Sequence, residues 1–197
     1  MLKLNGKNAR KGKFMRKSKK TNMHLLALIS LFSALICVCS FISIPFVIPI
    51  TLQLFGVYIA LFTLGGKRGL MSVLLYISIG AVGLPVFSGF TGGISRLFDA
   101  TGGYIFGFVI LSLVYFALSS VFPKRRFFTA VASGVSLMAL YLSGSLWYAF
   151  VYLDGAESFT HVLYVSVLPF VVLDAAKIFI AYIISERILV IIKNSID

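Results

Sequence analysis

Residues 83–104 read "GLPVFSGFTGGISRLFDATGGY". Six of these 22 residues are glycine, and the stretch sets Arg96 and Asp99 between long apolar runs. A plain connection between two hydrophobic segments needs far less flexible backbone. Non-helical main chain at membrane depth survives only where protein buries it or where it lines a cavity. "GFTGG" and "TGG" let backbone amides approach a ligand without side-chain obstruction; a mobile lid is the alternative use of so much glycine. Leu84, Val86, Phe87, Phe90, Leu97 and Phe98 argue for a packed loop rather than a solvated one.

The flanks of this stretch settle the class. Hydrophobic residues make up 59% of the 197-residue chain and charged residues 12%, with a mean hydropathy of +1.01. Soluble chains carry about 25% charged residues, so the sequence predicts an all-α integral membrane protein. A span takes about 20 apolar residues, fewer where the helix is tucked among others. On that basis six transmembrane helices fall near 24–43, 49–65, 69–84, 103–122, 127–150 and 168–192. Pro45 and Pro49 bound the first turn, "GGKRG" makes the second, "FPKRRF" the fourth and "LDGAESFTH" the fifth. The glycine-rich stretch becomes the loop between helices 3 and 4. Residues 1–22 read as a basic, disordered cytoplasmic tail and 23–193 as one transmembrane substrate-binding domain.

Charge gives the orientation. The net charge is +12, and nine of the eighteen Lys and Arg residues lie in the first twenty positions. A basic cluster ahead of a hydrophobic helix is a topology signal before it is a nucleic-acid arm. No A-x-A-like cleavage site follows it, which speaks against a signal peptide. With the N-terminus inside, Lys67, Arg68, Lys124 to Arg126, Arg187 and Lys193 also fall inside, sixteen of eighteen in all. Arg96, Asp99, Asp154 and Glu157 fall outside. That bias predicts both termini cytoplasmic and the glycine-rich loop on the outer side.

Several chemistries are missing. No G-x-x-x-x-G-K-[ST] phosphate loop and no H-E-x-x-H occur, so neither ATP hydrolysis nor zinc proteolysis is expected of this chain. "GVSL" at 134–137 has no second glycine, and His24 and His161 sit at opposite ends of the membrane, which leaves an intramembrane serine without a base. Cys37 and Cys39, two apart on a helix, face different sides and read as packing residues. No catalytic residue, metal ligand or cofactor is expected.

What remains is "PFVVLDAAKIFIAY" at 169–182, an acid and a base inside the last helix. Pro169 suits a first helical turn, which sets Asp174 about 7–8 Å below the helix start. Asp174 and Lys177, three apart, share a face. Ionisable groups at membrane depth are costly and mark function by default; a structural ion pair and an acid–base pair in a membrane enzyme are the competing readings. In helix 1, Ser30 with Ala34 and Ser33 with Cys37 give small-xxx-small faces for close helix contact, within the bundle or with a partner.

Taken together, "GLPVFSGFTGGISRLFDATGGYIFGF", "PITLQ" entering helix 2, "GGKRG" after it and "PFVVLDAAKIFIA" in helix 6 closely resemble the BioY family, over residues 24–192. These are the biotin-binding S components of energy-coupling-factor (ECF) vitamin transporters. The resemblance implies six helices in a bacterial plasma membrane and biotin captured with high affinity near the outer face. It also implies association with a transmembrane coupling subunit and two cytoplasmic ATPases that hydrolyse the ATP. The family's acid and base in the last helix match Asp174 and Lys177. Its polar position in the first glycine cluster is Thr91 here, often asparagine in relatives, and Asp99–Ala100 stands where many members read Gly-Pro. Arg96, Tyr104, Gln53, Gly92 and Gly93 complete the expected ligand-contacting set, with Ser30 and Ala34 on the partner side of helix 1. An S component for another vitamin is the alternative on the same plan.

Overall fold

The computed structural model describes residues 23–45, 48–122, 125–155 and 159–196. The basic tail, Lys124 and Glu157 lie outside the described residues. Four helical stretches are long and apolar enough to cross a membrane: α1 Met23–Phe41, α4 Gly102–Val121, the run Arg126–Tyr152, and the run Phe159–Ile191. Each has no more than 33% of its apolar window buried inside the protein, so the greater part of each surface faces outward, as lipid contact requires.

α2 (Gln53–Leu64) and α3 (Gly66–Ala81) are shorter. Ten of the twelve residues of α2 are buried; a helix enclosed by its neighbours can be apolar all round without spanning by itself. It packs against α7 (Leu168–Ile196), while α4 packs mainly against α5 (Arg126–Trp147). α1 comes close at Gly56, where an added Cβ would lie 3.2 Å from the Ile36 Cα. Tyr58 ties α2 to α5 by donating its hydroxyl to the Ser133 carbonyl at 2.8 Å, and Ser136 Oγ lies 3.1 Å away. Interhelical polar contacts of this kind replace the hydrophobic drive that is missing in lipid.

The boundaries differ from the sequence expectation in three places. The end of the first expected span and the start of the second instead form a two-stranded antiparallel ladder, β1 (Ser43–Ile44) against β2 (Ile50–Thr51). The all-α expectation is corrected to this extent. Pro45 and Pro49 bracket the turn, and neither can continue a helix hydrogen-bond ladder. Thr51 Oγ1 then accepts the Gln53 backbone N–H at 3.2 Å, satisfying one of the orphan donors at the start of α2. The fifth span, α5 (Arg126–Trp147), ends in a π-helical turn, Tyr148–Tyr152. Finally, an extra helix α6 (Phe159–Ser166) precedes α7 (Leu168–Ile196), whose first turn holds Pro169 as expected.

Candidate functional site

The glycine-rich stretch folds back on the bundle. Phe87 and Thr91 pair as an antiparallel bridge, with Gly89 (φ +73°) and Phe90 (φ +55°) turning the chain between them. Phe87 lies against Gly80 and is 2% exposed. Phe90 stacks on Phe41 at the end of α1, with ring centroids 4.5 Å apart. A 3-10 turn, Ile94–Phe98, leads into α4. The indole N–H of Trp147 donates to the Asp99 carbonyl at 3.1 Å, pinning this turn to α5. The packed-loop expectation holds for Val86, Phe87 and Leu97, whereas Leu84, Phe90 and Phe98 remain exposed.

Beneath the loop is a cavity of about 300 Å³. Its walls come from the β1–β2 hairpin, the start of α2, the loop, the first half of α4, the second half of α5, and α7. Six of the eight residues expected to contact ligand line it together: Gln53, Thr91, Arg96, Tyr104, Asp174 and Lys177. Gly92 and Gly93 stand beside the wall. Gly92 backs directly onto the Leu84 carbonyl, where no Cβ fits. Gly93 has φ +97° and donates its N–H to the Gly80 carbonyl at 2.8 Å. Their part is to fix the loop's path, which only glycine follows without strain.

At the cavity's polar centre, Asp174 is 4% exposed. Its Oδ1 accepts from Lys177 Nζ at 2.7 Å, and its Oδ2 accepts from the Tyr141 hydroxyl at 2.8 Å. A carboxylate has further lone pairs, and an ammonium has donors beyond the one committed here. The cluster therefore presents acceptor and donor capacity to a ligand without breaking itself. A carboxylate and an ammonium side by side match a neutral group that carries adjacent N–H donors and a carbonyl.

The other polar residues are more constrained. Gln53 donates from Nε2 to the Tyr76 hydroxyl at 2.5 Å and accepts from Thr51 Oγ1 at 2.9 Å. Tyr104 donates to the Ser166 carbonyl of α6 at 3.1 Å. Both are wall residues with occupied polar tips. Thr91 Oγ1 donates to the Ser88 carbonyl at 2.9 Å. Arg96 pairs with Asp99 at 2.5 Å, and the other Asp99 oxygen accepts the Ala100 N–H at 2.8 Å. The guanidinium keeps free N–H groups, suited to an anion. The apolar remainder of the wall includes Leu54, Phe87, Phe108 and Phe170.

Tyr141 and the β1–β2 hairpin were missed in the sequence. Tyr141 sits in "YLSGSLW", a run of hydroxyl groups inside an apolar helix, which was the available signal. The two prolines around 45–49 signalled a turn but gave no sign that it would wall a cavity. Helix 1 divides its two small-residue faces: Ser30 and Ala34 are exposed, whereas Ser33 is buried. No group of three or more potential metal ligands exists among the described residues.

The model of the BioY family matches residues 14–194. A probable biotin transporter BioY of Pyrococcus horikoshii is 39% identical over 83% of this chain and 94% of its own length. The biotin transporter BioY of Thermotoga maritima is 38% identical over 84% and 96%. The fold is similar to the crystal structure of an S-component for biotin from an ECF-type ABC transporter. The TM-score is 0.76 and the identity 22%, covering 86% of this chain and 92% of that one.

Proposed function

The chain belongs to the BioY family, and on that premise we propose that it captures biotin and serves as the substrate-binding S component of an ECF-type transporter. It is a transport subunit and no enzyme; ATP is hydrolysed by partners. The observation that carries the assignment to this chain's own residues is the buried Asp174–Lys177–Tyr141 cluster in the cavity wall.

Biotin's ureido ring offers two N–H donors and one carbonyl, which Asp174 and Lys177 would read as acceptor and donor. Its apolar ring and chain would lie against Leu54, Phe87, Phe108 and Phe170, and its carboxylate would meet Arg96 or the loop around Thr91. A cavity of about 300 Å³ is at the small end of the range of roughly 300–1,000 Å³ that ligand pockets occupy, in keeping with a vitamin-sized molecule.

The finer arrangement follows the same reading. α2 and α3 cross as short spans among longer ones, which makes six, with both termini cytoplasmic and the cavity at the outer face of a bacterial plasma membrane. Supporting this, Lys67, Arg68 and Arg126 gather at one end of the bundle, and Arg96, paired with Asp99, lines the cavity at the other, the asymmetry of the positive-inside rule. The partners would be a transmembrane coupling subunit and two cytoplasmic ATPases, with Ser30 and Ala34 on the docking side.

Calorimetry on the purified chain tests the core of this. Biotin should bind with nanomolar-order affinity, about −12 kcal/mol, and riboflavin and thiamine should give no heat. Tight binding of another vitamin with no response to biotin would overturn the assignment.

A further inference from the structure

At the end of the bundle opposite the ligand cavity lies a second space, larger at about 720 Å³, between α2, α4, α5 and α7. Lys67 and Arg68 reach it from the α2–α3 corner and Arg126 from the first residue of α5. Glu186 is the one carboxylate among its described lining residues, so three cations stand against one anion. Deeper in, the wall is apolar and aromatic: Phe62, Tyr115, Phe128 and Tyr182. Phe62 meets both Tyr115 and Tyr182 edge-on, with ring centroids 5.7 and 5.8 Å apart. Thr63, also in the wall, is 8% exposed, and its Oγ1 has no hydrogen-bond partner among the described residues.

We propose that this space is a binding site for an anionic phospholipid, with the phosphate held by Lys67, Arg68 and Arg126 and the upper acyl chains laid on the aromatic wall. Cations at the end of a membrane bundle are ordinarily a solvated surface. Here they rim a concave space with an apolar floor, which sets a charged headgroup and an acyl chain side by side. A free inorganic anion would need the cations but would gain nothing from the floor. A zwitterionic lipid would use the floor but would gain little from the excess of positive charge. The surface beside the rim is itself apolar and exposed at Val121 and Phe127, which lets a lipid enter sideways from the bilayer. The site shares no lining residue with the ligand cavity, so the proposal does not depend on what that cavity binds.

Native mass spectrometry of the delipidated full chain, titrated in turn with phosphatidylglycerol, phosphatidylcholine and glycerol phosphate, tests it. Phosphatidylglycerol should be retained at least roughly tenfold more than phosphatidylcholine, because each basic side chain near an anionic headgroup contributes about fivefold. Glycerol phosphate should give no stable adduct. The variant K67Q/R68Q/R126Q should lose the preference for phosphatidylglycerol while keeping the melting temperature of the delipidated wild type. Equal retention of the two lipids by wild type overturns the proposal, and so does an unchanged preference in the triple variant. Retention of glycerol phosphate as firmly as of phosphatidylglycerol makes this a free-anion site and overturns the lipid assignment. Loss of copurifying ATPase subunits with lipid retention intact makes it a protein interface, which overturns the proposal as well.

Discussion

Tyr141 of α5 and Asp174 of α7 share a hydrogen bond of 2.8 Å across the wall of the cavity, and Lys177 completes the cluster from one helical turn further on. One carboxylate is thereby held from two helices. In an apolar interior that arrangement fixes the orientation of Asp174 before any ligand arrives, and preorganisation of this kind lowers the cost of binding.

Asp174 and Lys177 give the sharpest test. Asp174→Asn keeps the shape but swaps a charged acceptor for a neutral amide that also donates. Hydrogen bonds to charged groups contribute about 1.5–3 kcal/mol each, so biotin affinity should fall about tenfold or more. Lys177→Met keeps much of the stem, removes the donor and should weaken binding too. A purely structural pair behaves differently: each single change strands a buried charge and lowers stability, whereas the neutral double variant recovers fold and affinity together. Biotin affinity measured beside melting temperature for both singles and the double separates the two, and a double variant that binds like wild type would remove the assignment.

Tyr141→Phe preserves the ring and takes away one donor to Asp174. The carboxylate keeps Lys177, so the fold should survive with a melting temperature lowered by a few degrees. Affinity should fall by about three- to tenfold, less than the full worth of a hydrogen bond to a charged acceptor, because this one orients Asp174 and only part of its loss reaches the ligand. An unchanged affinity alongside a lowered melting temperature would confine Tyr141 to stability.

The sequence carried the helical membrane class, the helix ends near Gly102 and Leu168 and the pairing of Asp174 with Lys177, because each rests on local signals: apolar run length, proline position and three-residue spacing. Tyr141 depends on which α5 residue faces α7, a tertiary fact that hydropathy does not encode. The β1–β2 ladder was hidden for a different reason. Ile48, Ile50 and Leu52 read as well in a helix as in a strand, and only the cross-chain pairing of Ser43 with Thr51 decides between them. Gly92 and Gly93 were legible as necessary, but not the protein's own backbone they meet: Gly92 leaves room for the Leu84 carbonyl, and Gly93 donates its N–H to the Gly80 carbonyl.

On α1 the exposed and buried small residues should respond differently to bulk. Ala34→Trp places a large side chain on an outward face and should weaken association with the coupling subunit while leaving melting temperature and biotin binding intact. Ser33→Leu overpacks a site that is 1% exposed and should cost about 1–3 kcal/mol of stability. Pull-down of the ATPase subunits and thermal melting read the two effects. If Ala34→Trp abolishes biotin binding and spares the complex, that face of α1 packs inside the assembly in a way the proposed docking role excludes.

Arg96 and Asp99 form an ion pair whose side chains are both more than a third exposed, a class worth about 0–1 kcal/mol to stability. Its consequence for binding is larger than its consequence for folding, because the Asp99 carboxylate occupies part of the guanidinium that an anionic ligand would use. Asp99→Asn should leave the melting temperature nearly unchanged and hold or raise the affinity for biotin. Arg96→Gln should lower biotin affinity about tenfold, the loss of a charged hydrogen bond, while scarcely affecting biotinamide, which lacks the carboxylate. Calorimetry with both ligands on both variants distinguishes this from a clamp role. Asp99 also accepts the Ala100 N–H through its side chain and the Trp147 indole through its carbonyl, so it has the means to act as a loop fastener instead. In that case Asp99→Asn weakens biotin and biotinamide equally, and the competition between Asp99 and the ligand carboxylate is refuted.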